Sequence, residues 1–83
     1  MPRRPPDKLN EIARATRVSV TEVRRYHQSG ALLITNEETI TEDELRRVRR
    51  VRRLRRDLGL DLEAIGIIVR LVERLEELEA RSR

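Results

Sequence analysis

The chain is expected to fold as one mainly all-α domain, with a minimal pair of short strands between its second and third helices and a final helix at the C-terminus. Three observations carry that expectation. Apolar residues recur at helical spacing over most of the 83 residues. Asp7, Ser19, Thr41 and Asp61, all good N-caps, each stand directly before such a run, and Gly30 and Gly59 stand behind two of them. Between Gly30 and Thr41 the helical spacing lapses, and two short apolar runs bracket a polar turn. Residues 1–6, Met-Pro-Arg-Arg-Pro-Pro, read as a disordered N-terminal arm, and residues 7–83 as a single domain.

In the first helix, capped by Asp7, Leu9, Ile12, Ala13 and Thr16 share a face at i, i+3, i+4, i+7. Arg17-Val18 breaks it. Ser19-Val20-Thr21-Glu22 has the form of a capping box, with Glu three residues after the capping Ser. In the second helix Val20, Val23 and His27 point toward the first, while Thr21, Arg24, Arg25 and Gln28 point outward; Gly30 ends it. Two short helices, a tight turn and outward basic residues on the second form a helix-turn-helix pattern, which a plain helical hairpin also matches. Ala31-Leu32-Leu33-Ile34 and Thr39-Ile40, around the turn Thr35–Glu38, would make a two-strand wing. The fold class is therefore a winged helix-turn-helix with a C-terminal helix.

Thr41-Glu42-Asp43-Glu44 is a second capping box and opens the most distinctive stretch of the chain. There, Leu45, Val48, Val51 and Leu54 recur every third residue with Arg pairs between them. At roughly 100° per residue the apolar set, with Leu58, spreads over about half of the helix circumference. Arg46, Arg49, Arg50, Arg53 and Arg56 gather on the opposite side, and Arg47, Arg52 and Arg55 flank the apolar arc. This basic face is either a solvated surface that serves stability or a docking face for an anion or acidic partner. Gly59 stops the helix. Asp61 caps the last one, about residues 61–80, with Arg81-Ser82-Arg83 fraying. In it Ala64, Ile68, Leu71, Leu75 and Leu78 follow the 4-3-4-3 spacing of a coiled-coil seam, a candidate dimer contact. Gly66 inside this helix suggests a close approach of another helix.

Composition narrows the function. Charged residues make up 41% of the chain and Tyr26 is its only aromatic, so the core must be aliphatic. No Cys is present, which fits a cytoplasmic protein and removes thiolate metal sites. No apolar run approaches the roughly 20 residues of a membrane span. The sequence pI is about 10.9, which favours nucleic acid as a partner. The charge is uneven: residues 1–60 carry net +6 and residues 61–83 net −2. The wealth of Arg and Glu also suits a thermophile, in which ion pairs add stability. His27 is the only histidine and falls on the inner or flanking side of its helix, where a structural role fits better than catalysis. Carboxylates occupy capping turns and charge pairs, and no Gly-rich phosphate loop occurs. No enzyme, metal or cofactor is expected; binding remains.

Ile12-Ala13-Arg14-Ala15-Thr16, Val18-Ser19, Val23-Arg24-Arg25-Tyr26 and Gly30-Ala31-Leu32-Leu33, in that order, resemble the MerR superfamily. Arg24, Tyr26 and Gly30 match its pattern, whereas Arg25 and Ala31 depart from it. Arg53-Leu54-Arg55-Arg56-Asp57-Leu58-Gly59-Leu60-Asp61-Leu62 looks like two branches, the CbpM/DafA-type chaperone modulators and the HspR-type heat-shock repressors, with Asp61 where Asn is usual, and Leu71–Leu78 resembles the modulators' terminal helix. The modulator resemblance implies a protein-binding adaptor for the J domain of a DnaJ-type co-chaperone, or a bridge between DnaJ and DnaK. The J domain's basic docking surface would meet acidic residues: Glu37, Glu38, Glu42, Asp43 and Glu44, with Glu73, Glu76 and Glu77 as a second set. Capping and solubility explain those acids nearly as well. The alternative is a dimeric DNA-binding transcription regulator, in which Thr21, Arg24, Arg25, Tyr26 and Gln28 face DNA. Acidic residues where relatives carry a basic, aromatic wing favour the adaptor.

Overall fold

Local capping sets most of the helix ends. The computed structural model describes residues 5–82, with side chains from Lys8 onward. α1 runs Pro5–Thr16, α2 Val20–Gln28, α3 Glu42–Leu58 and α4 Leu62–Arg81. α1 begins ahead of Asp7, so Asp7 lies within it and is not its cap. Prolines suit a helix's first turn, whose N–H groups have no helical acceptor. Of the expected arm, residues 1–4 lie outside the described residues, as does Arg83 at the other end.

Between α1 and α2 the chain turns through Arg17, at φ 59°, in a left-handed conformation unusual for a residue with a side chain. Ser19 Oγ caps α2 by accepting the Glu22 N–H at 3.2 Å. Only half of the expected box forms, because the Glu22 carboxylate accepts the Tyr26 hydroxyl at 3.1 Å. The box at α3 is complete: Thr41 Oγ1 accepts the Glu44 N–H and Glu44 Oε1 accepts the Thr41 N–H. Gly59, at φ 65°, ends α3 in the left-handed conformation that Gly adopts without a Cβ penalty. Asp61 caps α4 through the Ala64 N–H at 2.9 Å.

The core joins all four helices and the loop after α2: Leu9, Ile12, Ala13, Val23, Tyr26, Leu32, Val48, Val51, Ile65 and Val69 are all buried. Tyr26, not His27, completes the inner face of α2 with Val23; His27 is half-buried. An aliphatic core with one large ring needs that ring inside, since no other side chain of this sequence has its volume.

The expected two-strand wing is absent. Among the described residues there is no strand, and residues 29–41 form an irregular loop. Two physical reasons are visible. Adjacent residues Ala31 and Leu32 are both buried, which a strand with alternating faces cannot provide. The loop's backbone groups also find partners other than a hairpin. Lys8 Nζ donates to the carbonyls of Thr35 at 3.2 Å and Glu37 at 2.8 Å, and to Thr35 Oγ1 at 3.0 Å. Glu44 Oε2 accepts the Thr35 N–H at 3.1 Å. Lys8 and Glu44 close the knot with an ion pair of 2.9 Å, their side chains 2% and 1% exposed. So α1, the loop and the first turn of α3 are tied together by one buried pair.

α4 packs by its N-terminal half, where Ile65, Gly66 and Val69 are buried. A Cβ on Gly66 would lie 3.3 Å from Ala31 Cα, so the close neighbour is the loop after α2 and not another helix. Further along, α4 is held to α3 by paired hydrogen bonds: Arg47 to Glu73, at 2.6 and 3.1 Å, and Arg50 to Glu76, at 2.9 and 3.3 Å.

Candidate functional site

α2 sorts its side chains by the core. With Val23 and Tyr26 inside, Thr21, Arg24, Arg25 and Gln28 stand exposed together on the outer side. Tyr26, grouped with them from the sequence, is 1% exposed and cannot read a base edge from that position. Burial, the charge of Glu22 and its hydrogen bond push the Tyr26 hydroxyl up to about 12, against the opposing charges of Arg55 and Arg52. Those two arginines belong to α3, which packs against the inner face of α2.

The arginines of α3 separate into two flanks. Arg47 and Arg50 face α4 and are neutralised by Glu73 and Glu76. Arg49, Arg52, Arg53 and Arg56 line a groove on the other side, whose opposite wall is Thr16 and Val18 at the end of α1. Arg49, Arg52 and Arg53 have no carboxylate partner among the described residues, and Arg56 has only the exposed Asp57 at 3.8 Å. Arg46 lies at the groove but pairs with Asp43 at 3.0 Å, and Glu42 sits at the same end. The basic face expected from the helical wheel is thus divided. Arg50 leaves it for α4, and Arg52, which the wheel placed beside the apolar arc, joins it.

The acidic set divides as well. Glu37, Glu38, Glu42 and Asp43 are exposed at the end where α1 and α3 both begin. Glu44 is fully buried and is therefore withdrawn from any partner surface. Burial alone would raise its pKa, but hydrogen bonds from the Thr41 N–H, Lys8, the Thr35 N–H and the Thr41 hydroxyl outweigh that and hold the carboxyl below its usual range. Glu73 and Glu76 bind α3, and Glu77 pairs with Arg74 at 3.1 Å. The Arg50 hydrogen bonds lower the pKa of Glu76.

Of the seam residues on α4, Leu71, Leu75 and Leu78 are exposed and Ala64 and Ile68 are half-buried. Ile67, which the 4-3-4-3 spacing leaves out of the seam, is 54% exposed and falls in line with Leu71 and Leu75 at spacings of four. Nothing in the sequence marks Lys8 for its role in the buried knot. A Lys between helix-face positions is indistinguishable from a solvated one until the loop that covers it is known. No helix of the described chain is long and apolar enough to cross a membrane.

A basic second helix set on a first by a tight turn, backed by a long third helix and a projecting fourth, defines a helix-turn-helix regulatory domain. A family model described as "MerR HTH family regulatory protein" matches residues 8–83, and the chain belongs to that family. No curated protein and no solved structure matches it.

Proposed function

We propose that this chain is a DNA-binding regulator that acts as a dimer, with no chemistry of its own. The observation that carries this reading is the set of exposed residues on α2, Thr21, Arg24, Arg25 and Gln28, in a chain whose α3 carries further exposed arginines that no described carboxylate neutralises. Arg and Gln at the outer side of a second helix match the donors and acceptors of base edges in a major groove. The exposed apolar line Ile67, Leu71, Leu75 and Leu78 supports pairing of two copies through α4, which would set two half-sites one helical turn apart. Titration of duplex DNA at several salt concentrations tests the reading. Binding should weaken linearly in log–log form as salt rises. Arg24→Ala with Arg25→Ala should abolish it, while Leu71→Lys with Leu75→Lys should leave a folded monomer by light scattering. Undiminished DNA binding by the arginine double variant would remove α2 from the interface.

One observation favours a second reading, the adaptor for a J-domain co-chaperone or for the DnaJ–DnaK pair. Glu37, Glu38, Glu42 and Asp43 form an exposed acidic end, and among the described residues only Asp43 of these has a basic partner, Arg46. Such an end suits a basic docking surface of the kind the modulator resemblance implies. Glu44, Glu73, Glu76 and Glu77 contribute no free carboxylates to it, which is why this reading comes second. Co-elution of the chain with its host's J-domain protein, abolished on replacing Glu37, Glu38 and Glu42 by Lys, would put it first. Either role belongs in the cytoplasm.

A further inference from the structure

α3 has two arginine flanks, and α4 occupies one of them. There Arg47 donates two hydrogen bonds to Glu73, at 2.6 and 3.1 Å, and Arg50 donates two to Glu76, at 2.9 and 3.3 Å. Arginines three residues apart thus hold carboxylates three residues apart on a neighbouring helix, each planar fork taking both oxygens of one carboxylate. The other flank repeats the pattern over a longer reach. Arg49, Arg52, Arg53 and Arg56 are exposed, share one face of the helix, and line a groove whose opposite wall is Thr16 and Val18. From Arg49 to Arg56 the helix rises roughly 10 Å at ~1.5 Å per residue. Arg49, Arg52 and Arg53 have no carboxylate partner among the described residues, and Arg56 has only Asp57 at 3.8 Å. Two features fit a docked helix better than a phosphate chain. Glu42 lines one end of the groove, where a carboxylate repels phosphate but favours the positive N-terminal end of a helix. The Thr16 hydroxyl already donates to the Ile12 carbonyl at 2.8 Å, so the opposite wall brings no free side-chain donor to a phosphate.

We propose that this groove docks an acidic helix of another protein, one with carboxylates three or four residues apart along a single face, in the way that α3 already holds α4 on its other flank. The inference goes beyond DNA binding by α2 and does not depend on it. A second copy of this chain does not fit the groove. Its Glu73 and Glu76 are held by its own α3, its Glu77 pairs with Arg74, and its Glu37 and Glu38 stand on a loop. The partner helix therefore brings carboxylates that this chain does not have free in a helical row.

The test titrates the full chain into a labelled, Ala-rich helical peptide of about 20 residues, long enough to be helical alone, with Glu every third or fourth residue along one face. A second peptide of the same composition scatters its Glu around the helix. Fluorescence anisotropy should show the striped peptide bound roughly tenfold tighter than the scattered one. Arg49→Glu with Arg53→Glu should lose the Glu stripe and take up instead a peptide with Lys at the striped positions, a reversal of preference that misfolding cannot produce. Arg49→Gln with Arg53→Gln, checked by circular dichroism, should simply lose the Glu stripe. Arg24→Ala with Arg25→Ala should bind the striped peptide as the native chain does. Equal affinity for the striped and scattered peptides overturns the inference, as does tight binding of the stripe that survives in the folded Gln variant. A Gln variant that loses duplex DNA as completely as the α2 variant, with no binding of the striped peptide by the native chain, assigns the groove to nucleic acid and overturns it too.

Discussion

The first turn of α3 and its later turns are both densely charged, and they act in opposite directions. In the first turn, Glu44 points inward and meets Lys8, Thr35 and Thr41 in a knot sealed from solvent. In the later turns, Arg49, Arg52 and Arg53 are exposed and find no carboxylate among the described residues. A buried charge needs its partner, because the interior cannot solvate it. An exposed charge without a partner costs the fold little and remains available to another molecule. The same helix therefore holds the loop in place at one end and, further along its outer flank, carries exposed guanidinium groups without a carboxylate partner among the described residues.

Removing one member of the knot is the strongest way to break this contrast. Lys8→Ala leaves the Glu44 carboxylate buried without its counter-charge, and a destabilisation of about 3–5 kcal/mol is expected in denaturant unfolding. Acid sharpens the same point. The Glu44 pKa is depressed in the folded state, so its contribution is complete above the ordinary carboxylate range and disappears as pH falls through the folded-state value. Thermal melts should drop with acidification, and less so in Glu44→Gln, which has no such carboxylate to protonate.

Arg47 and Glu73 lie between the extremes, at 18% and 31% side-chain exposure. A double-mutant cycle with alanine at both positions should give a coupling of about 0.5–1 kcal/mol that shrinks with added salt. Arg53→Ala sits at the other end of the scale: a stability change within about 0.5 kcal/mol is expected, since its side chain is exposed and has no ion-pair partner among the described residues. A large destabilisation in Arg53→Ala, or a negligible one in Lys8→Ala, would reverse the division of roles along α3.

Much of the fold is legible in the sequence because its signals are local. Ser19, Thr41, Asp61 and Gly59 act on backbone groups within a few residues, and each stands where its residue type predicts. The outward Thr21, Arg24, Arg25 and Gln28 are legible for the same reason. The loop in place of a wing is not, because short apolar runs do not reveal whether their backbone will pair with itself or with Lys8 and Glu44. Tyr26 is misleading in sequence because its motif suggests an outward role, while the volume left to fill between α2 and α3 turns it inward.

By itself, the sequence determined the four helices, most of their ends, the regulatory family and a charge excess concentrated on one helix. Only the tertiary structure decided which charges face inward, which are neutralised and which are open. Arg47 and Glu73 are 26 residues apart, and Lys8 lies 29 residues from the carbonyl of Glu37 that it binds. Caps and periodicity reach about one helical turn, whereas burial and ion pairing depend on which distant segment arrives alongside. The repeated Arg pairs of α3 look alike in sequence, and their neighbours in space alone make some of them part of the fold and leave others open to a ligand.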